Sequence, residues 1–387
     1  MVFTMVLLIL ASLIPAGLAL VATGLTRAKN ATHTGFMIFF GSALAILGIW
    51  AVGFGLITGG GFFLRHTTDY EKFFWRAVQA SIVVAIPVGA LAERWSLKSF
   101  FVFSLFAAIA IFPFAVRGSG WVTDLAGAGS VHVIGGFSAL AGAIVIGPRI
   151  GRYNRAGGLV PIPAHNVPLA LLGCCLLTTG WLGFNSGPLP DAAARLAAVT
   201  LLAGAAGAVT AATSMIFSTG RPDPTITMNG LIAGLVSSSA AVAHISPSAG
   251  VIIGGVAGFL ISFSVQWLDR LHVDDPVGSI SVHGVAGLWG VFAAGLFANR
   301  EGVAGALHGG WKLLGIQALG GVALAVWAFG ISWVFFTIAN KFLPMRVPAE
   351  VELEGLDLSE TGVIGYPEFQ HANAYGSGSS FGAFQRK

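Results

Sequence analysis

Two histidines lie within apolar stretches of the chain, each at the end of the same nine-residue pattern. The pattern Asp-x-x-Gly-x-x-Ser-Val-His runs from Asp124 to His132 and again from Asp275 to His283. A neutral imidazole has one donor and one acceptor, so a facing pair can bond small polar molecules or pass a proton along a file of them. A bare alkali cation gains little there, because no ring of carbonyls or carboxylates replaces its water. The pattern predicts a site for a small hydrogen-bonding solute; the alternative is two separately buried histidines bonded to backbone carbonyls.

Composition determines what kind of protein must position these histidines. Charged residues make up 9% of the 387 residues, apolar residues 55%, and the mean hydropathy is +0.83. A soluble domain of this length needs far more charge at its surface, so the chain is predicted to be a membrane protein. The apolar runs are continuous rather than alternating, which favours helices over a transmembrane barrel. Cys174 and Cys175 are adjacent in one apolar run and predict neither a metal site nor a disulfide framework.

Apolar runs between charged or turn-rich breaks predict eleven membrane-spanning helices. The predicted spans are 4–26, 35–58, 73–93, 98–116, 125–147, 166–185, 192–217, 226–245, 248–268, 279–298 and 313–340. The first is expected to be a retained helix rather than a signal peptide, because it lacks a basic leading segment and is long enough to span.

The basic residues predict the orientation. With the N-terminus outside, 13 of the 20 Lys and Arg residues fall on the inner side and 7 on the outer side. This follows the positive-inside rule, so the prediction is N-out, C-in, and the net charge of +4 is assigned to membrane loops rather than to nucleic-acid binding. Helices five and ten then run in opposite directions. The fold is predicted to be a five-plus-five inverted repeat, about 1–150 and 160–300, with an extra helix 313–340.

The repeat also predicts where the histidines lie. Asp124 and Asp275 each stand at a helix N-terminus, where a carboxylate accepts the free N–H groups, so both are interpreted as structural caps rather than proton carriers. His132 and His283 follow eight residues later, about 12 Å along the helix. Entering from opposite faces, both are expected near the bilayer midplane.

The chain changes character after Pro344. Residues 1–343 are predicted to form the transmembrane domain, and 344–387 a cytoplasmic tail. The tail begins with an acidic segment that is expected to be ordered. It ends in a Gly/Ser-rich stretch from His371 that is expected to be mobile.

At these residues the chain resembles the ammonium transporter (Amt/MEP) family, within the superfamily that includes the Rh proteins. The similarity spans nearly the whole chain. Its motifs are Arg27–Asn30, Val88–Arg94, Asp124–His132, Gly180–Gly187, Asn229–Val236, Asp274–Gly284 and Glu354–Ser359. The resemblance implies a homotrimer of eleven-helix subunits, each with its own pore. The protein is expected in the cell inner membrane, with no cofactor and no metal.

The resemblance also implies roles for individual residues. His132 and His283 are expected to be the twin pore histidines, Trp121 to line an outer cation-recruitment site, and Phe184 to be one ring of a phenylalanine gate. The alternative for Trp121 is an anchor at the membrane interface. Two positions depart from the family, since Gln79 replaces the other gate phenylalanine and Pro188 a hydroxyl residue. Trp75, one turn before Gln79, is expected to compensate.

The predicted function is ammonium or ammonia transport, and no enzyme or ATPase motif is present. The alternative is an Amt-like sensor that binds ammonium and signals through its tail, which the departures at Gln79 and Pro188 motivate. A weak-base channel of the Rh type is a third reading, against which Trp121 and the tail argue. The resemblance further implies a PII-type regulatory partner, docked on Arg149, Arg152, Arg155 and the acidic tail.

Overall fold

Apolar helices packed against one another form nearly all of the computed structural model, which describes residues 2–65 and 67–367. They are α1 Val2–Ala11, α2 Leu13–Leu25, α3 Ala31–Gly48, α4 Phe54–Thr58, α5 Tyr70–Leu91, α6 Leu97–Phe106, α7 Phe112–Gly118, α8 Ile134–Ile146, α9 Val167–Ser186, α10 Ala193–Thr219, α11 Pro224–Ser238, α12 Pro247–Arg270, α13 Ala286–Phe297, α14 Trp311–Ala339 and α15 Ala349–Glu354. Two short strands, β1 Asn299–Arg300 and β2 Val303–Ala304, pair antiparallel between α13 and α14. The predicted mobile stretch from His371 lies outside the described residues.

Within the described ranges, ten helical segments are long and apolar enough to cross a membrane. They are Val2–Leu25, Ala28–Thr58, Tyr70–Leu91, Leu97–Gly118, Ala128–Ile146, Val167–Ser186, Pro190–Thr219, Pro247–Arg270, Ile280–Phe297 and Trp311–Ala339. Each coincides with one of the eleven predicted spans, because unbroken apolar runs specify helices in lipid. The prediction of an all-helical membrane protein is therefore confirmed.

The predicted eighth span, 226–245, differs from the others. Its helix α11 ends at Ser238, after 15 residues, and the chain turns through the next six positions. This turn is hydrogen-bonded to another segment of the chain: Leu125 N–H donates to Ala240 O, and Ala126 N–H to Ser239 O, both at 3.1 Å. Backbone carbonyls just beyond the end of α11 thus position the segment that leads into His132. Whether α11 counts as an eleventh crossing helix stays a prediction.

Small residues let these helices approach closely. A Cβ at Gly234 of α11 would lie 2.2 Å from the carbonyl oxygen of Ala203 in α10, and a Cβ at Gly254 of α12 would lie 2.0 Å from the same oxygen. Contact this close between backbones is possible only without a side chain. It is the main source of helix association in lipid, where no hydrophobic driving force acts between helices.

One end of the bundle, which we call the tail-side end because α15 packs there, contains a buried ion-pair cluster. Arg149 bonds Asp274 through Nε at 2.8 Å and Nη2 at 3.0 Å, and bonds Glu93 through Nη1 at 2.8 Å. The Arg94 guanidinium lies 3.7 Å from Asp274. These contacts join the loop after α5, the loop after α8 and the loop before the second motif. They therefore tie both halves of the chain together.

This cluster corrects one part of the sequence prediction. Arg149 is 5% exposed, so it is not available to a docking partner; its charge is committed to Asp274 and Glu93. Arg152 is half-buried and paired with Asp269, whereas Arg155 is exposed. The error arose because a basic loop residue gives no sign in the sequence of whether an acidic residue elsewhere will cover it.

The acidic tail is helical at α15 and folds back onto the bundle. Asp357 accepts from the backbone N–H groups of Thr32 at 3.1 Å and His33 at 2.8 Å, so it caps the start of α3. Leu356 N–H donates to Asn30 Oδ1 at 2.9 Å. The predicted order of this part of the tail thus has a physical cause: the Asp357 carboxylate satisfies free backbone N–H groups at the start of α3, and the Asn30 side chain accepts from the tail backbone.

Candidate functional site

The two motif histidines meet inside the bundle. His132 lies in a π-helical turn, Ala128–Val133, and His283 in a second one, Ile280–Val285. Their Nδ1 atoms are 3.1 Å apart and their rings stack at 5.1 Å between centroids; the residues are 0% and 3% exposed. A hydrogen bond between two such nitrogens requires one to carry the proton and the other to accept it. The hydrogen bond between the two rings therefore has a donor and an acceptor, and these roles are exchanged when both imidazoles change tautomer.

The two motif aspartates act on the backbone that carries these histidines. Asp124 accepts from the N–H groups of Gly129 at 3.2 Å and Ser130 at 2.8 Å, and from the Ser130 hydroxyl at 2.8 Å. Asp275 accepts from the N–H groups of Gly278, Ser279 and Ile280 at 3.0, 2.9 and 2.7 Å. Carboxylates bonded this way fix the first turn of each histidine-bearing helix. In the described part of the chain, neither carboxylate is hydrogen-bonded to an imidazole.

Two aromatic rings contact His132 in addition to the His283 imidazole. Trp181 stacks on His132 with centroids 5.1 Å apart, and Phe184 approaches it edge-on at 6.2 Å. Trp75 of α5 stacks on Phe184 at 5.0 Å. Trp181 is held by its indole N–H, which donates to Ser239 Oγ at 3.1 Å in the turn that follows α11. We call Trp75 and Phe184 the aromatic stack.

Gln79 lies beside the start of the His132 helix. It is 1% exposed, and its Oε1 accepts from Arg76 Nη1 at 2.7 Å. A side-chain carbon on Gly127 would lie 3.5 Å from Gln79 Nε2; Gly127 has a φ of +100° and its carbonyl accepts the His132 N–H. A polar amide therefore occupies the position at which the family resemblance leads one to expect a ring.

Trp121 is placed differently from the other predicted site residues. It is 49% exposed, its indole N–H donates to Gly118 O at 2.7 Å, and its ring lies against Gly320 of α14. It lines a groove of 200 Å³ together with Trp327. Within residues 2–65 and 67–367, its ring makes no stacking contact with the aromatic stack. Its role in recruitment and the alternative of an interface anchor both stay predictions.

Two cavities lie between the histidines and the tail-side end. The first, of 20 Å³, is lined by His283, Ile86 and Ser279, with room for about one water-sized molecule. The second, of 300 Å³, is a wider vestibule that Asp275, Arg152 and Asp223 help to line. Asn229 and Val277 line both cavities. The route from His283 to the tail-side end is therefore narrow and mostly apolar at first, then wide and polar.

The sequence analysis missed three residues that the structure places here. Trp181 stacks on His132 and stands one turn before Phe184, so its spacing was a usable signal. Asn229 holds the backbone of the second motif, since its Nδ2 donates to Val277 O at 3.0 Å. Arg76 touches Gln79, and a charged residue within an apolar helix is itself a signal of function.

Comparison with known proteins supports a common origin across the chain. Residues 2–366 match the Ammonium Transporter Family. Ammonium transporter Amt2 of Archaeoglobus fulgidus is 34% identical over 92% of this chain and 85% of the relative. Ammonium transporter Amt1 of Haloferax mediterranei is 34% identical over 91% of this chain and 76% of the relative.

Solved structures give the same result for the fold. A sensor Amt protein superposes with a TM-score of 0.88 at 30% identity, covering 93% of this chain and 97% of that chain. Mep2 of Candida albicans superposes with a TM-score of 0.83 at 26% identity, covering 90% and 86%. The match of family, relatives and fold extends over nearly every described helix. The chain is a member of the ammonium transporter family.

Proposed function

We propose that this protein carries ammonium nitrogen across a membrane along a path that passes the His132–His283 pair. The proposal rests on the 3.1 Å contact between the two buried imidazoles. A cavity of 20 Å³ beside His283 joins this pair to the polar vestibule. Of the small solutes, ammonia suits this arrangement because it both donates and accepts hydrogen bonds. Alkali ions do not, since imidazoles cannot replace a full hydration shell.

The proposed path begins at the aromatic stack and ends in the 300 Å³ vestibule. The stacked rings of Trp75 and Phe184 close it above His132, so a solute passes only when they part. Trp75 takes the place of a gate ring, and Gln79 is the polar neighbour beside it. Asp124 and Asp275 hold the two histidine-bearing turns in register. A cation resting on Trp121 before entry remains part of the proposal on the strength of the family resemblance alone.

The membrane, the topology and the assembly of the protein are also proposed from the family resemblance. The chain crosses the cell inner membrane eleven times, with α11 and its turn as the eighth crossing, in two inverted repeats plus α14. The N-terminus is outside and the tail-side end cytoplasmic, as the distribution of basic residues favours. Three copies assemble as a homotrimer, each with its own pore. The domain boundary lies near residue 343, with 344–387 as the cytoplasmic tail.

The test is nitrogen uptake by liposomes that contain the purified protein. After an ammonium jump, lumenal pH and membrane current together report ammonia and ammonium entry. Liposomes with wild-type protein are expected to give a larger signal than empty liposomes in lumenal pH, in current, or in both. In His132→Ala that signal is expected to fall at least tenfold, because the substitution removes the His132 hydrogen-bonding group from an otherwise apolar path. Thr219→Ala, at an exposed position at the end of α10, is the control and is expected to match wild type. Equal uptake by wild type and His132→Ala would reject the path.

A sensor is the second candidate, favoured by Gln79 in the gate position and by the likeness to a sensor Amt protein. A sensor binds ammonium and changes its tail with little or no transport. The same liposomes distinguish the two. Binding without uptake in wild type, together with uptake gained in Gln79→Phe, indicates a sensor; uptake in wild type excludes it as the main activity.

A PII-type regulatory protein is the proposed partner at the tail-side end. Arg155 and the exposed acidic residues of α15 remain available to it, whereas Arg149 does not. A pull-down from the host's own extract is expected to retain such a protein at low 2-oxoglutarate. Retention that is unchanged when Arg155 is replaced by Glu would show that the docking surface lies elsewhere.

A further inference from the structure

Arg76 is the unexplained charge near the proposed path. It follows Trp75 of the aromatic stack and stands one turn before Gln79 on α5, inside an apolar segment. Its Nη1 donates to Gln79 Oε1 at 2.7 Å, while its Nε is buried and without a hydrogen-bond partner in the described part of the chain. A guanidinium keeps its charge under all ordinary conditions.

No carboxylate neutralises this charge by direct contact. Among residues 2–65 and 67–367, the ion pairs of arginine involve Arg27, Arg94, Arg149, Arg152 and Arg346, and none involves Arg76. The charge of Asp124 partly offsets that of Arg76, but the Asp124 oxygens are hydrogen-bonded to Gly129 and Ser130 and not to the guanidinium. Within the described residues Arg76 is therefore a cation that no carboxylate contacts directly, in contrast to Arg149, which bonds two carboxylates.

The position of Arg76 links it to the histidines through few contacts. Gln79, which it bonds, packs near Gly127, and the Gly127 carbonyl accepts the His132 N–H at 3.1 Å. Trp75, its neighbour in the chain, stacks on Phe184, which touches His132. Arg76 thus adjoins Trp75 in the chain and bonds Gln79 at the start of the His132 helix, and it does not line the vestibule. A solute that reaches His132 past the aromatic stack would therefore pass the side of the path on which Arg76 lies.

A fixed positive charge in poorly hydrated surroundings repels other cations strongly, because little water screens it. An arginine in a narrow pore excludes cations in this way while neutral solutes pass. Resting on the transport function proposed above, we propose that Arg76 is a specificity-determining residue that keeps ammonium itself out of the histidine segment. Ammonia is then the species that crosses: ammonium gives its proton to water outside Arg76, and ammonia takes up a proton from water on the other side. No net charge moves.

The test compares wild type with Arg76→Gln, Arg76→Lys and Lys72→Gln in liposomes given an ammonium jump. Lys72 is the matched control, since it is a cation on the same helix, one turn earlier and exposed. Wild type, Arg76→Lys and Lys72→Gln are expected to raise lumenal pH without current above empty liposomes. Arg76→Gln is expected to produce a sustained current at least tenfold above that background. A wild-type current as large as that of Arg76→Gln, or no current in Arg76→Gln while lumenal pH still rises, overturns the inference.

A binding measurement separates this inference from the proposed function. If neither wild type nor Arg76→Gln moves nitrogen, the transport function fails, and calorimetric titration of the detergent-purified protein with methylammonium decides about Arg76. Affinity at least tenfold higher in Arg76→Gln than in wild type, with Lys72→Gln and Arg76→Lys unchanged, supports a cation barrier. Equal affinity in wild type and Arg76→Gln overturns it.

Discussion

Replacing Asp274 with asparagine is expected to lower the free energy of unfolding by about 3–5 kcal/mol at neutral pH. The carboxylate is 0% exposed and accepts three hydrogen bonds from Arg149, two from the guanidinium and one from the backbone N–H, with Arg94 3.7 Å away. An amide keeps the shape and removes the charge, which leaves two buried guanidinium groups with too little compensation. Thermal unfolding in detergent, followed by tryptophan fluorescence, measures the loss.

The same variant has a predictable pH dependence. Burial on its own raises the pKa of the Asp274 carboxyl, but the charges and hydrogen bonds of Arg94 and Arg149 outweigh burial and hold the pKa at about 2, below its ordinary 3.8. The stabilisation is therefore complete above the ordinary pKa and is lost as the pH falls towards 2. The difference between wild type and Asp274→Asn should be constant from neutral pH to about pH 5 and should shrink below about pH 4.

Asp269→Asn is the matched control, because Asp269 pairs with Arg152 at 2.7 Å in the same region but keeps 20% of its side chain exposed. Its loss of stability should be clearly smaller, since water partly screens the pair. An Asp274→Asn protein as stable as wild type at neutral pH would contradict the role given to the cluster. So would a deficit that persists unchanged at about pH 2.

Gly136→Ala is expected to separate the two histidines. A Cβ at Gly136 of α8 would lie 2.2 Å from Gly284 N and 2.4 Å from Gly284 Cα, in the turn that carries His283. Both obstacles are backbone atoms, so the helices themselves must move apart, by roughly 1 Å or more to reach van der Waals contact. The 3.1 Å contact between His132 and His283 then exceeds hydrogen-bond length.

The expected result is a loss of about 3 kcal/mol in stability, at the upper end of overpacking in cores, together with at least tenfold less nitrogen uptake. Gly330→Ala on α14 is the matched control: apart from α14's own backbone, no atom of the described residues lies within 4 Å of a Cβ at this position, so stability should stay within about 1 kcal/mol of wild type. Unfolding in detergent and the liposome assay give both readouts. A Gly136→Ala protein with wild-type stability and uptake would show that the histidine contact does not depend on this crossing.

The helices were predictable because each corresponds to a continuous apolar run in the sequence. Ten of the eleven predicted spans match helical segments in the described residues, nine of them to within three positions at each end, and the second segment begins seven residues earlier than predicted. The eighth was misjudged at its end: residues 239–245 are as apolar as a helix interior, yet the chain turns there. The turn forms because carbonyls at Ser239 and Ala240 bond Leu125 and Ala126, which are more than a hundred residues away.

The candidate site, too, was predictable in part: the sequence identified its histidines but not most of their neighbours. The repeated pattern was enough to select His132 and His283, and the inverted arrangement predicted for the two elements led us to expect them near each other, as the 3.1 Å contact bears out. It gave no sign that Trp181 stacks on His132 or that Arg76 bonds Gln79. It also placed Arg149 in an accessible loop, whereas Asp274 and Glu93 bury it.

By itself the sequence determined that the protein is helical and apolar enough for a membrane, the position and length of most helices, and the choice of the two histidines. Hydropathy and a repeated motif are local properties of the chain, so no tertiary information was needed for these. Only the tertiary structure decided which partner each polar group finds. That choice depends on contacts between residues far apart in sequence, such as Arg149 with Asp274 and Asp357 with the start of α3. A buried charge is stabilising or destabilising according to such a partner. Among the described residues, Arg149 bonds two carboxylates and holds the helices together, whereas Arg76 bonds the amide oxygen of Gln79 and no carboxylate.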